Sequence, residues 1–267
     1  MMKRLDWVEV NGTSLRYELS GEGPHTLVLV HEMGGTLESW DQVLPALLPG
    51  RRILRYDTRG AGQSEKIRDG VSFDEMAEDL AALLDTLGIT EQVALAGCAV
   101  GGGIVLHFAA RFPERVAALV AMGPATGVPP DRRAATLARA EAIERTGPRG
   151  VIEESFAGSY PPEVRHDAEQ YRRFRARWLA NDAKSYGAIY RMLVDSTVTE
   201  EIAGIACPAL LLAGTKDRLR PPAVVEPLAG RMRNARFRAL DTGHFMAVQT
   251  PALVAGEIDG FLASLGR

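Results

Sequence analysis

Apolar residues along this chain follow two rhythms. Leu27–Val30 and Ala209–Ala213 are unbroken apolar runs, the pattern of strands buried on both faces. Further runs at 52–56, 92–97, 115–121 and 235–240 read as strands, and residues 7–10 and 15–20 alternate around Asn11-Gly12, a hairpin signal. Between them the period changes to 3.6. Phe73, Met76, Ala77, Leu80, Leu83, Leu84 and Leu87 form one stripe over 72–87, with Ser72 and Glu75 as a capping box and Gly88 as the stop. Helices are also predicted at 39–48, 101–112, 222–230 and 250–264. Alternating units of this kind build a mostly parallel, eight-stranded α/β sheet with helices on both faces.

The alternation stops after Met122-Gly123-Pro124. From 125 to 200 the chain is charged and free of strand runs, and Pro129-Pro130, Gly147-Pro148 and Pro161-Pro162 divide it into about four short helices. The domain plan is therefore a core of 1–124 and 201–267 with a helical cap, or lid, of 125–200 inserted after strand six.

Ligands of open parallel sheets sit beyond the carboxyl ends of the strands. That rule selects His31 to Gly35, Asp57, Ala99 with Val100, Asp217 and His244. Gly97-Cys98-Ala99-Val100-Gly101 has the strand, tight turn and helix pattern of a nucleophile elbow, Gly-x-nucleophile-x-Gly, with Ala99 at the nucleophile position. A methyl group cannot attack a carbonyl. A frame shifted by one would offer Cys98, but would place β-branched Val100 where the helix must approach the sheet closely.

Asp217 and His244 follow successive strands in the order of an acid and a base. The carboxylate would fix the imidazole tautomer and leave Nε2 free to take a proton. Backbone N–H groups of Met33 and Val100 are the candidate oxyanion donors, Val100 at the start of a helix. His31 and Glu32 flank that site. In the cap, Trp178, Tyr186 and Tyr190, with Phe156, Tyr160, Phe174 and Met192, are candidates to line an apolar substrate pocket, although such side chains more often pack helices together. Arg175, Arg177 and Arg191 are candidates to meet a substrate carboxylate. The loop Asp57 to Ser64 lacks the glycine spacing of a nucleotide site, and Asp57 and Arg59 are expected to hold it beside the elbow.

Composition narrows the function. A net charge of −3 over 267 residues gives no electrostatic case for nucleic acid. No apolar run reaches the length of a membrane span and no signal-like stretch follows Met1, so a cytoplasmic location is expected. The 2 cysteines, Cys98 and Cys207, fall at opposite strand ends and are not expected to pair. No metal spacing joins the 5 histidines, and no metal or organic cofactor is expected.

In combination these pieces resemble the α/β-hydrolase family. They are His31-Glu32-Met33-Gly34-Gly35, Tyr56 to Ser64, the elbow, Ala109 to Val116, Gly214 to Asp217 and Gly243-His244-Phe245, in the family's order along the whole chain. The size, the cap and the Asp57 loop look most like the branch of 3-oxoadipate enol-lactonase. The resemblance implies the α/β-hydrolase fold, a nucleophile–acid–histidine set falling on positions 99, 217 and 244, and oxyanion donors at Met33 and Val100. It also implies a small, often carboxylated substrate, and a family that often forms dimers. Two positions depart from its pattern: Glu32 where the oxyanion loop usually has glycine, and Ala99 where serine, cysteine or aspartate is found. Three functions remain open. One is a hydrolase of a small ester, lactone or enol-lactone whose serine is replaced by Ala99. The second is a natural non-covalent enzyme using a His244–Asp217 general base for hydrolysis, elimination or cofactor-free oxygenation. The third is a non-catalytic metabolite-binding protein.

Overall fold

The alternating segments assemble into one eight-stranded sheet in the order β1-β2-β4-β3-β5-β6-β7-β8. The computed structural model describes residues 3–196 and 201–267. β1 (Lys3–Val10) and β2 (Thr13–Gly21) form the predicted hairpin, and β2 also runs antiparallel to β4 (Arg51–Tyr56). The other pairings, among β3 (His25–Val30), β4, β5 (Val93–Cys98), β6 (Val116–Met122), β7 (Ala209–Gly214) and β8 (Ala235–Leu240), are parallel. Their carboxyl ends therefore open on one edge.

Helices cover both faces because the inner strands are apolar on both. α2 (Phe73–Thr86), α3 (Val100–Arg111) and α8 (Pro222–Ala229) bury Leu80, Ile104, Phe108, Val225 and Leu228 on one face. α1 (Leu44–Leu47) and α10 (Pro251–Ala263) bury Leu47, Val254, Ile258 and Phe261 on the other. The capping box of α2 is formed: Ser72 Oγ accepts from the Glu75 N–H at 3.1 Å, and Glu75 Oε2 accepts from the Ser72 N–H at 2.8 Å.

The helix predicted over 39–48 is instead a 3-10 turn, Leu37–Trp40, followed by α1. Pro45 has no N–H to donate to the carbonyl four residues back, so a continuous helix cannot pass it. Likewise the short α9 (Met246–Gln249) precedes α10 and is separated from it at Thr250, whose extended-side φ of −140° is imposed by Pro251. Between β6 and β7 lie α4 (Arg133–Thr146), α5 (Ile152–Ser159), α6 (Ala168–Leu179) and α7 (Ala183–Asp195), the four cap helices that the punctuation predicted. Residues 197–200 of the predicted cap lie outside the described residues.

Candidate active site

β5 delivers the chain to Ala99 in a strained backbone, φ 51° and ψ −111°. For an alanine this costs on the order of 1–3 kcal/mol. The neighbours impose it. The Ala99 N–H donates to Met122 O at 2.8 Å, and the Ala99 carbonyl accepts from Gly103 at 3.0 Å and Ala125 at 2.9 Å. The flanking glycines let the helix press on the sheet: a Cβ on Gly97 would stand 2.2 Å from Gly101 O, and one on Gly101 2.3 Å from Val30 O. The elbow is thus built, and its central side chain is a methyl. Cys98 does not take that place. Its side chain is buried among Trp40, Met122 and Met246, and its Sγ donates to His244 O at 3.4 Å. Burial first, and the Glu32 charge second, push its thiol well above the ordinary pKa.

Asp217 and His244 meet as the sequence predicts. His244 Nδ1 lies 2.7 Å from Asp217 Oδ2, so the proton is on Nδ1. Asp217 Oδ1 accepts from the backbone N–H groups of Leu219 at 2.7 Å and Arg220 at 2.9 Å. Burial works to raise the Asp217 pKa, but the His244 charge and hydrogen bond and these two N–H donors prevail and hold it below the usual carboxylate range. His244 Nε2 has no hydrogen-bond partner among the described residues.

The loop carrying the candidate oxyanion donor Met33 runs from the end of β3. His31 Nδ1 donates to Glu32 O at 2.7 Å while Nε2 accepts from the Thr58 N–H at 3.0 Å, so this imidazole ties two strand-end loops together. Glu32 is wholly buried; its Oε1 accepts from Ser39 Oγ at 2.6 Å, and Oε2 has no partner among the described residues. The Met33 N–H donates no hydrogen bond among the described residues. Val100, first residue of α3, has no intrahelical acceptor for its N–H. A cavity of about 20 Å³ is lined by His31, Glu32, Met33, Val100 and Tyr186 among others.

Trp178 stands directly over the loop, where a Cβ on Gly34 would lie 2.5 Å from its Cδ1, and it meets Tyr186 edge-on at 5.2 Å. Tyr190 lies behind Tyr186, 5.6 Å between ring centroids, and does not line the cavity. Phe156, Tyr160 and Phe174 pack with Phe245 into the cap's own core, and Met192 joins the main core. Arg175 pairs with Glu153 and Arg191 with Glu144, away from the cavity lining. Asp57 holds its loop, accepting from the N–H groups of Leu37 at 2.7 Å and Gln63 at 2.8 Å, and Arg59 chelates Asp79.

Sequence reasoning missed Ser39, the partner of Glu32, and Asn181, whose Nδ2 donates to Gly34 O at 3.0 Å. No sequence motif marks either: Ser39 reaches Glu32 across a turn of seven residues, and Asn181 reaches Gly34 across 147. Both cysteines are free. Among the described residues no group of three or more His, Cys, Asp or Glu could hold a metal ion, and no helix is long and apolar enough to cross a membrane.

The sheet order, the strained turn after β5 and the Asp–His pair after β7 and β8 define the alpha/beta hydrolase fold, whose family model matches residues 25–145. The chain belongs to this family and is an enzyme of it. RutD of Stutzerimonas stutzeri, a protein that carries the name carbamate hydrolase, is 30% identical over 86% of this chain and 89% of its own length. The 3-oxoadipate enol-lactonase 1 of Acinetobacter baylyi is 24% identical over 95% of each. Among solved structures, the enol-lactonase of Burkholderia xenovorans superposes with a TM-score of 0.90 at 25% identity, covering 97% of this chain and 100% of that one. A thermophilic esterase of Thermogutta terrifontis gives 0.90 at 24% identity and 98% of both chains, a likeness of fold.

Proposed function

We propose that this enzyme hydrolyses small esters or lactones without a covalent intermediate. His244, oriented by Asp217, takes a proton from a water molecule, whose oxygen bonds to the acyl carbon. The negative charge that develops on the carbonyl oxygen is met by the Met33 and Val100 N–H groups. The intermediate then collapses, the acyl C–O bond breaks, and His244 returns the proton to the leaving oxygen. The enol-lactonase and carbamate hydrolase relatives support an acyl substrate. The cap over 125–200 would enclose it.

One observation carries the reading: an intact 2.7 Å carboxylate–imidazole pair whose Nε2 bonds to nothing among the described residues, beside a position that has no nucleophile. Asp217 and His244 would have no work in a passive binder. The test is turnover of small esters, lactones and enol-lactones by the chain as it stands and by His244→Ala. A loss of about 10²–10⁴-fold in the variant is expected. A parent rate no faster than buffer overturns the water route.

The strained φ of 51° at Ala99 favours a second reading, in which the chain descends from a serine hydrolase and its elbow still presents the position for attack. Under that reading Ala99→Ser converts an inactive parent into an enzyme with burst kinetics. Under the first, the parent itself turns over and shows no burst.

A further inference from the structure

Among the described residues, Glu32 is the one buried carboxylate of the strand-end loops with an unsatisfied oxygen. Asp57 and Asp217 have both oxygens bonded, whereas Glu32, with no exposed surface, has Ser39 on Oε1 and nothing on Oε2. No cation pairs with it among the described residues. Such an atom is costly to bury unless something bonds to it in the working state.

Its location suggests what does. β3 and β5 pair with Val30 opposite Gly97, so the loop carrying Glu32 and the turn at Ala99 leave adjacent strand ends. Cys98, immediately before Ala99, bonds through its Sγ to the His244 carbonyl, so the His244 backbone lies against the same turn. Tyr186 of the cap lines the same cavity as Glu32. The cavity that Glu32 lines with Met33 and Val100, about 20 Å³, has room for one water.

We propose that Glu32 is a catalytic residue of this centre: its free oxygen accepts one hydrogen bond from the attacking water while His244 Nε2 takes the other proton, which aims the water at the acyl carbon over the Ala99 methyl. The assignment rests on the water route above. Glu32 begins and ends the cycle as a carboxylate; the transferred proton passes only through His244 to the leaving oxygen. The two departures from the family pattern then belong together. A hydroxyl at position 99 would compete for the space in which this water is held.

Glu32→Gln keeps the side chain's shape and an oxygen for Ser39. Its kcat is expected to fall about 10- to 100-fold with KM within about twofold, since the lost contact is to water and not to the acyl group. A kcat within about twofold of the parent overturns the assignment. A high-resolution crystal structure of the parent chain separates this proposal from the one beneath it. A water within hydrogen-bond distance of both Glu32 Oε2 and His244 Nε2 is expected, and its absence overturns the role of Glu32 whatever the turnover. That water in place without turnover overturns the hydrolytic route and supports Glu32 as the residue that holds it.

Discussion

At position 217 a single atom separates two outcomes. Asp217→Asn keeps an oxygen for the Leu219 and Arg220 N–H groups but replaces the other with an amide, which cannot accept from His244 Nδ1. The imidazole then loses its tautomer lock, and hydrolysis should fall by about 10²–10⁴-fold with little change in melting temperature. Matched loss of folding and activity would show a structural role instead. Glu38 offers a different test. Burial alone would raise its pKa, but hydrogen bonds from Arg16 and Thr36 hold it at about 2 against an ordinary 4.5. A folded pKa below the unfolded one stabilises the protein above pH 4.5, and that contribution disappears as the pH falls through 2. Glu38→Gln should therefore lower stability at pH 7 by roughly 1 kcal/mol, allowing for solvent screening, and differ little from the parent at pH 2, as urea midpoints would read. Asp217 and His244 were legible because each closes a strand. The role of His31 as a tie between loops was not, since it depends on Thr58, 27 residues away.

The elbow shows why one element was readable to the residue and another was not. Gly97 and Gly101 are required by contacts under 2.5 Å that any side chain would make with backbone, so spacing alone located the turn and its centre. Gly101→Ala would drive a methyl to 2.3 Å from Val30 O, and neither partner is flexible. The strand or the helix must shift, at about 2–4 kcal/mol, and the denaturation midpoint should drop accordingly. A midpoint unchanged from the parent would mean that α3 rides higher on the sheet than the close approach implies. The capping box of α2 was legible for the same reason, because its partners are three residues apart. By contrast, the 39–48 segment has helical periodicity on both sides of Pro45, and periodicity does not register a missing N–H. The four cap helices were countable from their prolines, but their faces were not. Trp178 of α6 and Tyr186 of α7 pack in the cap core with Phe174 but also reach over Gly34, and hydrophobicity alone does not distinguish the two uses.

Taken whole, the molecule grips its site from above on two sides. Asn181 bonds to Gly34 O, and Trp178 and Tyr186 stand on that glycine. Opposite, the Ser159 carbonyl at the end of α5 accepts from the His244 N–H at 3.3 Å and from Gln249 Nε2 at 2.8 Å, while Gly158 O accepts from the Arg218 N–H at 3.4 Å. The cap thus touches the loop carrying Met33, the loop after Asp217 and His244 itself. On the Asn181 side a cavity of about 20 Å³, lined by Glu32, Met33, Val100 and Tyr186 among others, has room for a water and is far too small for an acyl group. Substrate entry must displace the cap aromatics, and Trp178 is the one nearest the loop. Trp178→Phe removes part of the bulk over Gly34 while keeping an aromatic ring beside Tyr186 and the packing behind it. Preference should therefore move toward bulkier acyl groups, with the ratio of kcat/KM for a branched ester to that for an acetate rising about 10-fold, the order of effect that one or two carbons of pocket space produce. Asn181→Leu removes the other tie while keeping the volume of a side chain that lines the cavity, so the same ratio should hold while both rates change together. If the two variants shift the ratio alike, the cap governs access as a unit and Trp178 does not itself set the size of the acyl group.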